Sequence, residues 1–425
     1  MARIKLKLIM NRIKEILVIG LFFLIQPFSI GQTNQPSQFL QKVGVLDSLY
    51  SQNLKEYKTF YVQLPANYSP NKDEKYPVVF ILDGEVLLPT VNNVQNFYSG
   101  GFTPEMIIIG ISNNTHRMRD LTTSKVTELY GMPFNEENGE ADIFSDFIEA
   151  ELIPFVENKY PVTNFRTLIG HSYGGLFTIY TLINRPELFS NYIAIDPSLD
   201  WDNQKLLIQA RDQFSSKNYK GKSLFMSLSG QLHMQKPEVT IANVMQDTSD
   251  LTLFARSNVT FSEIAKLNDK NGLDFNWKFY PKDLHGTISF PSILDGLIKV
   301  FDWYQMENTY KINAFETPKE ELFDIIKYRE KKLKDHFGYW VPPYPEELLT
   351  MSGYMNMDMN QHEKAKMYFE LAIEFYPKSP NTYDSMADYY ERNEDYDNAL
   401  KFVTKAYEIS AQDYYKKRME ALKNK

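Results

Sequence analysis

No cysteine occurs among the 425 residues of this chain. That single absence removes disulfides, thiol nucleophiles and cysteine-based metal sites together. Histidine is scarce as well, with six in all, so imidazole chemistry has few places to sit. A dominant charge is missing too: 46 basic residues stand against 54 acidic ones for a net charge of −8, which argues against a nucleic-acid partner. An apolar run that approaches a membrane span is found only near the start. There Arg3, Lys5, Lys7, Arg12 and Lys14 precede an apolar stretch at 16–25, and Ser29-Ile30-Gly31 supplies small residues for cleavage before Gln32. This is the pattern of an export signal over residues 1–31, repeated in miniature from the second methionine, Met10. Its apolar core is too short for a comfortable span, and no cysteine follows it to carry a lipid. The expected location is periplasmic or secreted, with no membrane span after cleavage.

What is present begins with bulk. A hydrophobic content of 43% over this length is enough for a large core and more than one domain. Twenty-eight Tyr and 29 Phe suit carbohydrate or aromatic-acyl ligands, although extra core aromatics are the plainer account. Apolar runs at 59–64, 77–82, 106–111, 167–170, 192–195, 223–228 and 275–280 alternate with helical patterns. Several of these runs are continuous rather than alternating. Continuous runs mean burial on both faces, hence a mostly parallel sheet covered by helices over about 32–310, an α/β fold with its chemistry at the carboxyl ends of the strands.

One segment localises that chemistry. Arg166-Thr167-Leu168-Ile169-Gly170-His171-Ser172-Tyr173-Gly174-Gly175 places a G-x-S-x-G where an apolar run meets a helical pattern. Such an elbow lifts a serine hydroxyl onto a sharp strand-to-helix turn, and small residues flank it because larger ones would collide with the neighbouring strand and helix. A serine nucleophile needs an imidazole base. His116 and His171 precede the serine, His336 and His362 lie in the helical tail, and His233 and His285 remain. His285 follows the last strand candidate and precedes a helix at 293–304, which favours it; His171 is expected to pack within the elbow. The orienting acid is open: Glu238, Asp247 and Asp250 follow the strand at 223–228, and Asp196 and Asp200 are remoter candidates. For the oxyanion, the amides of Tyr173 and of Glu85, in the turn Leu82-Asp83-Gly84-Glu85, are in the expected places.

Beyond residue 311 the composition turns to Lys, Glu and Tyr with no further strand run. A helical connector spans 311–345, and Gly353, Ala365, Phe369, Ala372 and Pro377 recur 34 residues later as Ala387, Ala399, Val403, Ala406 and Ala411. That is the period and size pattern of two tetratricopeptide-like repeats over 346–412, followed by a charged tail at 413–425. Two repeats bury little by themselves, so they are expected to dock on the connector and the catalytic domain and to shape access to the site.

Taken in order, Leu82-Asp83-Gly84-Glu85, the segment from Gly110 to Thr122, Gly170 to Gly175, Asp196-Pro197-Ser198-Leu199-Asp200-Trp201 and His285-Gly286 resemble the putative-esterase branch of the α/β-hydrolases, which includes enterochelin esterases, esterase D, feruloyl and acetyl-xylan esterases and the mycolyltransferases. The resemblance covers about 40–305. It implies Ser172 as nucleophile, His285 as base and the Glu85 and Tyr173 amides as oxyanion donors, with no cofactor and no metal. Where feruloyl-type members carry their acid this chain has His233; the mycolyltransferase pattern instead favours Asp250, and enterochelin-esterase relatives manage with a Ser-His pair. The expected activity is hydrolysis of a small-molecule, saccharide or siderophore ester, with Tyr173, Trp201 and the Arg117/Arg119 loop lining the pocket. Acyl transfer from the same site and a non-catalytic scaffold acting on a protein partner through the repeats are the rival readings.

Overall fold

The computed structural model describes residues 43–66, 68, 74–129 and 131–425; the export signal expected over 1–31 lies outside them. Strands β1 (Val45–Ser51) and β2 (Glu56–Gln63) come first. Then β3 (Tyr76–Ile81) leads into helix α1 (Gly84–Tyr98), and β4 (Ile107–Ile111) into a short α2 (Arg117–Leu121). A small hairpin, β5 (Glu128–Leu129) and β6 (Met132–Pro133), precedes α3 (Ala141–Phe147) and α4 (Ile153–Lys159). Thereafter β7 (Val162–His171) runs into α5 (Tyr173–Asn184), β8 (Asn191–Ile195) into α6 (Trp201–Ser216), β9 (Lys222–Ser229) into α7 (Leu253–Leu267), and β10 (Leu273–Tyr280) into α8 (Ser289–Val300).

Eight strands form one sheet in the order β1-β2-β4-β3-β7-β8-β9-β10. β1 pairs antiparallel with β2 and β2 with β4, and every later neighbour pair is parallel. The sequence explains the layering. In β3 and the residue after it, Val78, Phe80 and Leu82 point into one core with Phe144, Phe147 and Phe177, whereas Val79 and Ile81 enter a second core with Val91, Ile293 and Leu297. Period-two alternation of an all-apolar run thus feeds two helical layers. The apolar runs of the sequence are these strands, within a few residues at each end. β1 was not expected, and its composition says why: Val45, Leu46 and Tyr50 are exposed on the sheet edge, so no apolar face marks it.

The chain then forms α9 (Thr309–Ile312), the connector helix α10 (Lys319–Phe337) and two hairpins, α11 (Glu346–Asp358) with α12 (His362–Phe375) and α13 (Pro380–Arg392) with α14 (Tyr396–Ser410). The recurring small residues are where the hairpins close. Gly353 lies so near the Phe369 ring that an added Cβ would come within 2.5 Å of it, and Ala365, Ala372, Ala387, Ala399 and Ala406 are fully buried. Residues 413–425, expected as a charged tail, contain helix α15 (Asp413–Leu422). It covers the second hairpin with Tyr415 and Leu422 and turns Arg418 onto Asp384 at 2.6 Å and Glu391 at 3.0 Å. No helix of the described residues is long and apolar enough to cross a membrane.

The connector packs on the catalytic domain. Leu333 and Phe337 of α10 enter the second core beside Phe165 and Phe301, and the Tyr339 hydroxyl donates to Thr163 Oγ1 at 2.9 Å. Buried Arg329 donates to the carbonyls of Tyr304 and Pro343 at 2.7 and 2.8 Å. Thr163 and Phe165 stand at the start of β7, and Ser172 follows its other end; at about 3.3 Å per residue that is roughly 30 Å of strand. The connector is therefore anchored at the amino ends of the parallel strands and not at the entrance to the site.

Candidate active site

Every group of interest stands at the carboxyl end of a strand: Asp83 after β3, Arg117 after β4, Ser172 after β7, Asp196 after β8, Gln231 after β9 and His285 after β10. Ser172 has φ 60 and ψ −116, a conformation that costs a non-glycine residue strain and is held by its surroundings. The tightest surroundings are glycine positions. A Cβ on Gly170 would meet the Gly174 carbonyl oxygen at 2.2 Å, and one on Gly175 would meet Pro197 Cα at 2.9 Å. At Gly174 the nearest atoms are 3.5 Å away, so the steric demand falls on Gly170 and Gly175.

His285 Nε2 lies 3.0 Å from Ser172 Oγ, and His285 Nδ1 lies 2.7 Å from Asp196 Oδ2. Asp196 is completely buried, and its other oxygen accepts the Ser229 N–H at 2.8 Å. An ionised carboxylate only accepts, so it takes the proton-bearing Nδ1 and leaves the Nε2 lone pair facing the serine hydroxyl. Ser198 Oγ is also 3.3 Å from Ser172 Oγ.

The register of the sheet brings the acid there. β8 is the immediate neighbour of β7, His171 pairs with Ile195, and the Ser172 N–H donates to the Ile195 carbonyl at 3.0 Å. The next residue, Asp196, turns under the elbow with φ 43.

Asp250, favoured on sequence grounds, is exposed, opens a short 3₁₀ turn before α7, and makes no hydrogen bond with His285. Of the carboxylates in the loop after β9, Asp247 is engaged elsewhere and Glu238 points to solvent. Asp247 accepts from the N–H and hydroxyl of Ser249, which together hold it well below the usual carboxylate range. Glu238 is exposed, and Asp200 directly precedes α6. His233 Nδ1 accepts the N–H groups of Gln235 and Lys236 at 3.0 and 3.1 Å, which makes it a turn residue.

Tyr173 and Glu85 each sit in the first turn of a helix, α5 and α1, where N–H groups have no intrahelical acceptor. The two helix starts adjoin, since the Cβ direction of Gly174 points at Leu82 Cβ and Asp83 Oδ2 at 3.5 and 3.6 Å. Their spacing is held by a clamp that sequence reasoning did not identify. Arg117 donates Nε and Nη2 to the two oxygens of Asp83 at 2.7 and 2.8 Å, Nη2 also reaches the His171 carbonyl at 3.2 Å, and Asn113 Oδ1 accepts the Asp83 N–H at 3.0 Å. Of the residues expected to line the pocket, Tyr173 and Arg117 are at the site. Trp201 is buried behind Tyr173, its Nε1–H given to the Ser124 carbonyl, and Arg119 turns away to Glu56 and Asp120.

Comparison with known proteins follows the same lines. Residues 51–257 match the family described as putative esterase, and 346–379 and 380–413 each match a tetratricopeptide repeat. The ferri-bacillibactin esterase BesA of Bacillus subtilis is 32% identical over 178 residues, 38% of this chain and 61% of that protein. A siderophore triacetylfusarinine C esterase of Aspergillus fumigatus is 31% identical over 150 residues, 32% of this chain and 48% of that protein. The chain thus spans less than two thirds of the length of either relative. Among solved structures, an IroE-like serine hydrolase from Shewanella oneidensis is 28% identical with a TM-score of 0.63, covering 78% of this chain and 99% of its own. Over residues 51–257 the chain thus matches the putative-esterase family, with two tetratricopeptide-repeat matches behind that segment.

Proposed function

We propose that this chain is a serine carboxylic-ester hydrolase. The observation that carries the reading is His285, suspended between buried Asp196 at 2.7 Å and the elbow hydroxyl of Ser172 at 3.0 Å. Ser172 Oγ attacks the ester carbonyl carbon while its proton passes to His285 Nε2. The carbonyl π pair moves onto oxygen, where the amides of Tyr173 and Glu85 receive the charge. Collapse of the tetrahedral species breaks the bond to the alkoxy oxygen, which leaves as the alcohol with the proton from His285. Water then repeats the sequence on the acyl-enzyme, giving the carboxylic acid and free Ser172. Asp196 keeps the imidazole in the basic tautomer and stabilises the imidazolium.

The substrate class we favour is an ester-linked siderophore, a reading supported by the names of the two curated relatives. The basic and apolar pattern of residues 1–31 supports export as the route by which the protein meets such a substrate. The repeats, anchored by a connector that packs on the far end of β7, form a surface for a protein partner that leaves the site open.

The test uses purified protein, a short-chain aryl ester and a cyclic triester siderophore. Ser172→Ala should lower kcat by several orders of magnitude, as removal of a triad nucleophile costs roughly 10⁶-fold in a well-studied case, and an organophosphonate should label Ser172 alone. Wild-type turnover by the alanine variant would end the hydrolase reading, and aryl-ester turnover without siderophore cleavage would end the substrate reading.

A further inference from the structure

His285 sits in a turn, where neither helix nor sheet holds its backbone. After β10 the chain folds back over the end of β9: the Gly230 N–H donates to the Asp283 carbonyl at 2.8 Å, and the His285 N–H donates to Gln231 Oε1 at 3.2 Å. The His285 carbonyl has a different partner. His171 Nε2 lies 2.9 Å from it, and the two imidazole rings are 4.6 Å apart at their centroids, tilted by 38°. A carbonyl only accepts, so His171 Nε2 carries the proton. His171 itself is fixed, because it ends β7 and its carbonyl receives Arg117 Nη2 at 3.2 Å.

Resting on the esterase reading, we propose that His171 is a positioning residue for the base: its Nε2–H holds the His285 carbonyl and so sets the imidazole at the right height between Asp196 and Ser172. The residue beside the nucleophile in sequence thus acts on the base, through the backbone of a loop more than a hundred residues later. A neutral ring is what this place requires, since His285 becomes a cation during turnover and a second cation stacked on it would oppose that step. Burial first, and then the neighbouring His285, push His171 down to about 4 against a partly offsetting pull from Asp196, while Arg117 adds to the lowering. His171 is therefore uncharged where esterases work, with one N–H to give.

Two variants separate this role from simple packing. His171→Phe keeps a flat ring against His285 but has no donor; His171→Gln gives up the ring and keeps an amide N–H for the same carbonyl. With an aryl ester as substrate, His171→Phe should lose kcat on the order of ten- to a hundredfold, the cost of a catalytic group misplaced by about 1 Å, with KM unchanged. His171→Gln should recover most of that loss. A Phe variant that is folded and as fast as wild type overturns the proposal, and so does a folded Gln variant as slow as the Phe variant. Long-range ¹H–¹⁵N spectra of the wild-type imidazoles give a readout that needs no activity. His171 should show the Nε2–H tautomer at neutral pH, and an Nδ1–H tautomer overturns the contact even if the esterase reading stands. Conversely, an inactive wild type with that tautomer present counts against the esterase reading and leaves the contact supported.

Discussion

Asp196 and Ser172 stand at the ends of adjacent strands, and this adjacency puts a fully buried carboxylate 2.7 Å from the imidazole that faces the nucleophile. The carboxylate beside the His285 ring therefore does not come from the long excursion between β9 and α7, where three carboxylates lie closer in sequence to His285. It comes from a tight turn two strands away from β10 in the sheet.

Asp196→Asn should leave the protein folded and lower kcat on any ester substrate by on the order of 10² to 10⁴, because an amide at this place favours the wrong imidazole tautomer. Asp250→Asn should have little effect on kcat. Steady-state kinetics on the two variants decide between them; equal, small losses would mean that His285 works without an orienting carboxylate.

Arg117→Lys should weaken catalysis without removing any group proposed to touch the reacting atoms. A lysine cannot reproduce the two-pronged contact with Asp83, so the Asp83-Gly84-Glu85 turn loses its brace. The expected loss in kcat is about ten- to a hundredfold, somewhat below that for removing an oxyanion donor outright. Unchanged kcat would show that Asn113 suffices to hold the turn.

The elbow glycines should differ sharply in their tolerance of alanine. Gly170→Ala must push a methyl into the Gly174 carbonyl and should give insoluble or strongly destabilised protein. Gly174→Ala meets only ordinary contacts inside a helix, and its melting temperature should equal or exceed that of wild type, given a helix-propensity gain of up to about 1 kcal/mol. Thermal unfolding of the two variants checks both outcomes.

Acid should destabilise the wild-type fold partly through His171. Its ring is lowered from 6.5 to about 4 in the folded protein, so below pH 6.5 the unfolded chain binds a proton that the folded chain refuses. This contribution is complete above pH 6.5 and is lost as pH falls toward 4. Denaturant unfolding of wild type and His171→Gln across pH 7 to 4 should show a shallower decline for the variant over that window.

Two truncations should separate the roles of connector and repeats. Ending the chain at Pro345 keeps α10 on the catalytic domain but bares Leu322 and Ile326, which pack against Met367, Leu371 and Phe375. Turnover of a small aryl ester should persist in a less soluble protein. Ending it at Pro318 removes Leu333 and Phe337 from the core shared with Phe165 and Phe301 and should cost the fold itself. Circular dichroism and ester turnover, measured together, test both expectations.

Much of this architecture was legible in the linear order of residues because it depends on local pattern. Continuous apolar runs announced buried parallel strands, glycines about Ser172 announced a sharp strand-to-helix turn, and the 34-residue recurrence of small side chains announced two helical hairpins. His285 could be singled out because so few histidines exist and it alone lies between the last strand and the helix that follows it. The edge strand β1 escaped, since its apolar residues Val45, Leu46, Leu49 and Tyr50 do not alternate and so mark no single face. The acid was ambiguous for a deeper reason. Asp196, Asp247 and Asp250 all follow a strand or open a helix, and nothing local distinguishes a carboxylate that reaches His285 from one that caps a turn. Only the register of β8 against β7, set by hydrogen bonds between distant segments, and the fold-back of the loop after β10 over β9 bring Asp196 to the imidazole. The same holds for the Arg117 clamp on Asp83 and for His171 on the His285 carbonyl. Composition and periodicity determine which elements form; pairing across the sheet decides which side chains meet.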